Sequence, residues 1–209
     1  MKTGRLEAFS DGVMAIVITI MVIELKAPKE HDALSALAPL GSVLLSYLLS
    51  FIYIGIYWNN HHHLFHAAER VHGGTLWANL HLLFWLSLVP FATGWMGESH
   101  FATWPVVVYG FVLLMAAVAY YVMVRVLISH HGEDSLLVTA IGGDLKGKVS
   151  VALYLAGIGL AFLHPWAGAA MYAAVAVIWL IPDRRIGKAI DKPDHPVRVA
   201  APDAKTEGV

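Results

Sequence analysis

Apolar residues run along the chain in six long blocks, at about 4–25, 37–60, 75–97, 103–128, 147–164 and 166–183, divided by short polar breaks. Each block comes near or exceeds the roughly 20 residues that an α-helix needs to cross a bilayer. The breaks, KAPKEHDA, HAAERVHGG, GESHFATWP, SHHGEDS with GGDLKGK, and LHPWAG, hold the glycines, prolines and charges that end helices. The pattern predicts an all-α, polytopic membrane protein with six transmembrane helices over residues 1–185. Residues 186–209 lose apolar periodicity and are expected to form a polar, disordered cytoplasmic tail.

Composition agrees with the pattern. Of 209 residues, 58% are hydrophobic and 14% charged, and the mean hydropathy is +0.64, outside the range of soluble domains. The formal net charge is −1 and no basic block could track a nucleic-acid backbone, so nucleic acid is not an expected partner. With no cysteine, disulfides, thiolate metal sites and cysteine nucleophiles are excluded. Glu7 and Asp11 spoil the basic start of a signal peptide, and no cleavage site follows the first apolar run, which therefore reads as a retained helix.

Cations set the orientation. A cytoplasmic N-terminus puts Lys2, Arg5, Arg70, Arg125, Lys146, Lys148, Arg184, Arg185, Lys188, Lys192, Arg198 and Lys205 inside, and only Lys26 and Lys29 outside. That bias predicts both termini in the cytoplasm, with Trp95, Trp104 and Trp166 near the outer interface. No extramembrane stretch is long enough for a soluble domain, so the function belongs within the bilayer and an enzyme is not expected.

The first helix carries the opening motif GRLEAFSDG. If Ser10 or Asp11 were an N-cap, the helix from Gly12 to Leu25 would span only about 21 Å, short of the roughly 30 Å hydrocarbon core. A start near Gly4 gives about 33 Å and places Asp11 two turns inside, where an unpaired carboxylate costs several kcal/mol. Arg5 lies about 120° away around the helix, so each residue needs a partner on another helix or subunit. Gly12, Ile16, Thr19 and Ile23 form a separate stripe, which taken alone reads as lipid or core contact.

The second helix ends in YWNNHHHLFH. His62, His63 and His66 have spacings that could meet one metal or haem iron, although a solvated face at a helix end is the preferred reading and no bound metal or cofactor is expected. His61, one turn after Trp58, can face inward with it. On the third helix Asn79 falls at the depth of Asp11 and His61, so Ser10, Asp11, His61 and Asn79 could share one polar layer. Pro90 reads as a kink. The last three helices look like scaffold, with Gly157, Gly159, Gly168, Ala169, Ala170 and Ala173 suited to close packing.

Arg5-x-x-x-Phe9-Ser10-Asp11 resembles the signature of the transmembrane protein 175 family, the lysosomal potassium channel and its bacterial homologues. Trp58-Asn-Asn-His61 through Phe65, Asn79-Leu and Pro90-Phe resemble the accompanying motifs, so the likeness covers about the first 97 residues. It implies a potassium-permeable monovalent cation channel without a TVGYG filter, its pore lined by the first helix, in the inner (plasma) membrane of a bacterium. Because eukaryotic members carry two six-helix repeats and form dimers, one repeat implies a homotetramer. The resemblance places Ile16, Thr19 and Ile23 at the pore constriction, and Arg5, Phe9, Ser10, Asp11, Trp58, His61 and Asn79 in the polar network that holds the pore helices. Four isoleucine rings would shut out water, and Thr19 hydroxyls could coordinate a potassium ion in part. Glu24, Glu30 and Asp32 would concentrate cations at the outer mouth. Two alternatives remain open: a proton-coupled secondary transporter using Asp11 and His61, and a histidine-rich membrane metalloprotein.

Overall fold

The computed structural model of the protein describes residues 3–28, 34–66, 68, 71–129 and 145–181. Lys2, Lys29, Glu30, Asp32, Arg70, Arg184 and Arg185 and the tail at 186–209 lie outside the described residues. Among the described residues there are seven α-helices: α1 (Gly4–Ile23), α2 (Gly41–His66), α3 (Gly73–Ser87), α4 (Val89–Glu98), α5 (Thr103–Ser129), α6 (Leu145–Ala161) and α7 (Pro165–Leu180). A 3-10 turn over Leu34–Leu40 leads into α2. α3 and α4 are two halves of one crossing, parted at Leu88 because Pro90 has no N–H to continue the ladder, so the chain makes six crossings.

Length and composition make four of these crossings plain membrane spans: Gly4–Ile23, Leu37–His66, Gly73–Glu98 and Thr103–Ser129. α6 and α7, with 17 and 16 residues, reach about 25 Å each and pack as a hairpin. The helices alternate in direction. The starts of α1 and α3 meet the end of α2, and Lys146 at the start of α6 donates from Nζ to the Ile181 carbonyl just past α7, at 2.9 Å. Gly74 at the start of α3 touches Val126 near the end of α5, which places all these termini at one end of the bundle. At the other end Ser42 Oγ lies 3.0 Å from His100 Nδ1, and Lys26 pairs with Glu98 at 3.4 Å.

Between α4 and α5 the chain turns within four residues, with His100 and Phe101 both in the left-handed region at φ 51° and 60°. For a bulky residue that conformation costs on the order of 1 kcal/mol. Burial offsets it, since Phe101 is inside the bundle and stacks on Trp166 with ring centroids 4.3 Å apart.

α5 is the central helix, touching α3, α4, α6 and α7. Its contact with α7 depends on Gly110, because the Tyr172 hydroxyl occupies the space where a Cβ would stand. Within the hairpin a Cβ on Gly157 would lie 2.5 Å from Tyr172 Cε1, and one on Gly168 would lie 2.7 Å from the Gly157 carbonyl. Gly159, grouped with these by sequence, has open space instead. Trp95, Trp104 and Trp166 are exposed toward the α4–α5 end, while Trp58 and Trp77 are exposed toward the other, an aromatic belt at each interface.

Candidate functional site

α1 begins at Gly4, and FSDG lies inside the helix without capping it. Its 20 residues span about 30 Å. Leu6, Ser10, Met14, Val17 and Met21 share one face and are all buried, packed against α2, α3 and α4. At about 100° per residue, the stripe of Gly12, Ile16, Thr19 and Ile23 is centred about 150° away. The chain leaves this side bare: Ile16 is 58% and Ile23 77% exposed, and no atom lies within 4 Å of where a Gly12 Cβ would stand. Thr19 donates its hydroxyl proton to the Ile16 carbonyl at 2.9 Å. The oxygen is left with lone pairs directed outward, an acceptor and no longer a donor.

Behind α1 the structure brings three of the seven network residues together. Ser10, His61 and Asn79 are buried to 0%, 1% and 2% exposure. Ser10 Oγ donates to the Leu6 carbonyl at 2.9 Å, so its oxygen accepts from Asn79 Nδ2, also at 2.9 Å. That fixes the orientation of the Asn79 amide. Its Oδ1 therefore accepts from His61 Nε2 at 2.9 Å, which makes the imidazole the Nε2–H tautomer, with a buried Nδ1 that has no partner. The relay ties α1 to α3 and α3 to α2 through one unbroken direction of donation.

The other four network residues stand elsewhere. Arg5 and Phe9 are exposed, and Asp11 is half-buried at the margin of the packed face. Among the described residues neither the Arg5 nor the Asp11 side chain forms a hydrogen bond or an ion pair. Trp58 does not turn inward with His61. It is 47% exposed and stacks on His62 at 6.1 Å, and His62 stacks on His66 at 6.0 Å. Successive turns of one helix point the two residues apart: His61 follows the buried face of α2 and Trp58 the outer one. Among the described residues no three His, Asp or Glu side chains converge as metal ligands.

A second polar seam escaped the sequence reading. Ser46, Ser50, Tyr53, Tyr57 and His61 are all buried on α2, and their spacing of 4, 3, 4 and 4 residues is one helical face. Ser50 Oγ lies 2.6 Å from Thr93 Oγ1 on α4 and 2.9 Å from the Tyr109 hydroxyl on α5. Tyr53 donates to the Tyr172 carbonyl at 2.6 Å. The signal was present in that spacing, but serine and tyrosine counted as part of an apolar run hide it.

The sequence profile described as endosomal/lysosomal potassium channel TMEM175 matches residues 5–90. A protein of Chryseobacterium sp. (strain P1-3), named a potassium channel, is 54% identical over 190 residues, which is 91% of this chain and 98% of that one. The chain belongs to the TMEM175 family. A crystal structure described as a lysosomal potassium-selective channel TMEM175 homolog from Chamaesiphon minutus superposes with a TM-score of 0.75 at 31% identity, over 88% of this chain and 97% of that one. The human endosomal/lysosomal proton channel TMEM175 is 35% identical over 92 residues, 38% of this chain and 18% of that one. The TMEM175 profile thus spans α1, α2 and α3 and both the bare stripe and the relay, while the structural likeness extends over most of the chain. TMEM175 proteins are channels, and enzyme chemistry is not part of this family.

Proposed function

We propose that this protein is a potassium-permeable monovalent cation channel of a bacterial inner membrane, a homotetramer whose four α1 helices surround the ion path. One observation carries the reading: α1 is clamped on one face by a buried polar relay and left bare on the other, where its most regular stripe lies. An apolar face turned to lipid would need no such anchoring, because lipid accepts any orientation. A helix lining a shared axis needs its rotation set to within a few tens of degrees.

In this arrangement Ile16 and Ile23 form two apolar rings that exclude water when narrow, and the Thr19 oxygens between them offer lone pairs to a partly dehydrated cation. No carboxylate stands on the stripe to trap a divalent ion. The positive-inside bias places the starts of α1 and α3 and the end of α7 in the cytoplasm. Glu24, next to Ile23 and beside Gly94, then stands at the outer mouth with Glu98. The transporter alternative draws no support from geometry, since Asp11 and His61 share no hydrogen bond. The stacked column of Trp58, His62 and His66 lies on the surface, and among the described residues no three side chains converge there as metal ligands.

The test is potassium flux from liposomes holding the purified protein, with reversal potentials under potassium against sodium. A cation-selective current that moves toward the potassium equilibrium potential is expected. Absence of potassium flux, or unchanged conductance after both Ile16→Asn and Ile23→Asn, would overturn the proposal.

A further inference from the structure

The relay at Ser10 holds only the first half of α1. From Ser10 to Met21 is about 16 Å along the helix, and Thr19 and Ile23 lie at the far end of that lever. A helix pinned at one depth can pivot. The structure supplies a second attachment at the level of Met21, built from side chains outside the signature motifs.

Ser50, Thr93 and Tyr109 are all buried, to 0%, 4% and 0% exposure, and come from three different helices. Their three hydroxyl protons serve four close contacts, two within the trio and two with backbone carbonyls. Ser50 donates its single proton to the Ser46 carbonyl at 2.9 Å. Its two lone pairs then accept from Tyr109 at 2.9 Å and from Thr93 at 2.6 Å, which uses all of its bonding capacity. The Val89 carbonyl on α4, 2.7 Å from Thr93 Oγ1, competes for that same proton, so the Thr93 hydroxyl is shared between its own helix and α2. On its other side Thr93 Oγ1 stands 3.9 Å from Met21 Sδ on α1. Pro90 removes one rung of the backbone ladder between α3 and α4, and the Thr93–Ser50 contact adds a tie from α4 to α2.

We infer that Ser50, Thr93 and Tyr109 form a second clamp on the pore helix, with Thr93 positioning α1 through Met21, so that the trio sets the width of the path at Thr19 and Ile23 and hence the preference for potassium over sodium. These are positioning residues and do not touch the ion. The inference rests on the α1 axis proposed above.

Thr93→Val keeps the side-chain shape and removes the hydroxyl, while Thr93→Ser keeps the hydroxyl. The chain has no cysteine, so Ile23→Cys introduces a unique thiol whose modification by a charged methanethiosulfonate reports access from water. In reconstituted tetramers, Thr93→Val is expected to lower the potassium-to-sodium permeability ratio at least threefold and to change the Ile23→Cys modification rate by a similar factor. Thr93→Ser should return both to near the native values. Tyr109→Phe, which removes one oxygen and no carbon, should shift both in the same direction and serves if Thr93→Val does not assemble. Native ratio and native modification rate in an assembled Thr93→Val or Tyr109→Phe channel would overturn the clamp while leaving the α1 axis standing. If Ile23→Cys in the otherwise native chain is never modified and its current never blocked, the axis itself fails, and the clamp with it.

Discussion

Replacing Asn79 with leucine, whose side chain has the same number and branching of heavy atoms, tests the inner relay at its centre. The change removes the acceptor of His61 Nε2–H and the donor to Ser10. Ser10 loses little, because its own proton still goes to the Leu6 carbonyl. His61 loses more: its Nδ1 already has no partner, and the buried Nε2–H would have none either. Interhelical hydrogen bonds in membranes average about 0.6 kcal/mol, so two of them account for about 1 kcal/mol, whereas an unsatisfied buried donor adds about 1–3 kcal/mol. The orphaned imidazole therefore dominates, and the total is about 2–4 kcal/mol. His61→Leu alone should cost about 1–3 kcal/mol, through the unpartnered Asn79 carbonyl. The double variant removes both polar partners and should be no worse than Asn79→Leu alone, which gives a coupling of about 2 kcal/mol. SDS-titrated unfolding in mixed micelles measures all three free energies. If the double variant loses the sum of the single losses to within about 0.5 kcal/mol, the two residues are not coupled and the relay does not hold α1.

Other outcomes follow from the same geometry. Ile16→Asn should wet the proposed constriction and raise single-channel conductance severalfold in planar-bilayer recordings, with a fall counting against the hydrophobic-ring account. Glu24→Gln should lower inward conductance in about 0.01 M salt and leave it nearly unchanged at about 1 M, since the Debye length shrinks from about 30 Å to about 3 Å; an equal loss at both salts would mean the carboxylate acts by contact and not by its field. Gly110→Ala should destabilise the bundle by about 1–3 kcal/mol or more, because the Tyr172 hydroxyl fills the space of the new methyl. Gly159→Ala, with open space at its Cβ position, is the matched control, and equal losses in the two would contradict the packing described here.

Sequence alone determined the six crossings, the depth of the opening motif and the stripe at 12, 16, 19 and 23. Each of these follows from one-dimensional rules: rise per residue, angle per residue, and the cost of an unpaired charge in hydrocarbon. Length by itself ruled out an N-cap at Ser10. The proposed orientation also rests on counting, because cations are distributed along the chain and need no contacts to be read.

Tertiary structure decided which polar residues meet. Ser10, Asp11, His61 and Asn79 lie at one depth, but only three of them connect, because Asp11 stands about 100° around α1 from Ser10 and so misses the seam that Asn79 reaches. Trp58 and His61 are likewise one turn apart yet face opposite surroundings. The meeting of Ser50, Thr93 and Tyr109 required knowing that α2, α4 and α5 converge at one level, a fact about the packing of three separate segments. In a membrane the apolar side of a helix can face either lipid or a neighbour at nearly equal free energy. The hydrophobic pattern therefore specifies what crosses and leaves the pairing of faces to close packing at small residues and to the few hydrogen bonds that hydrocarbon will not replace.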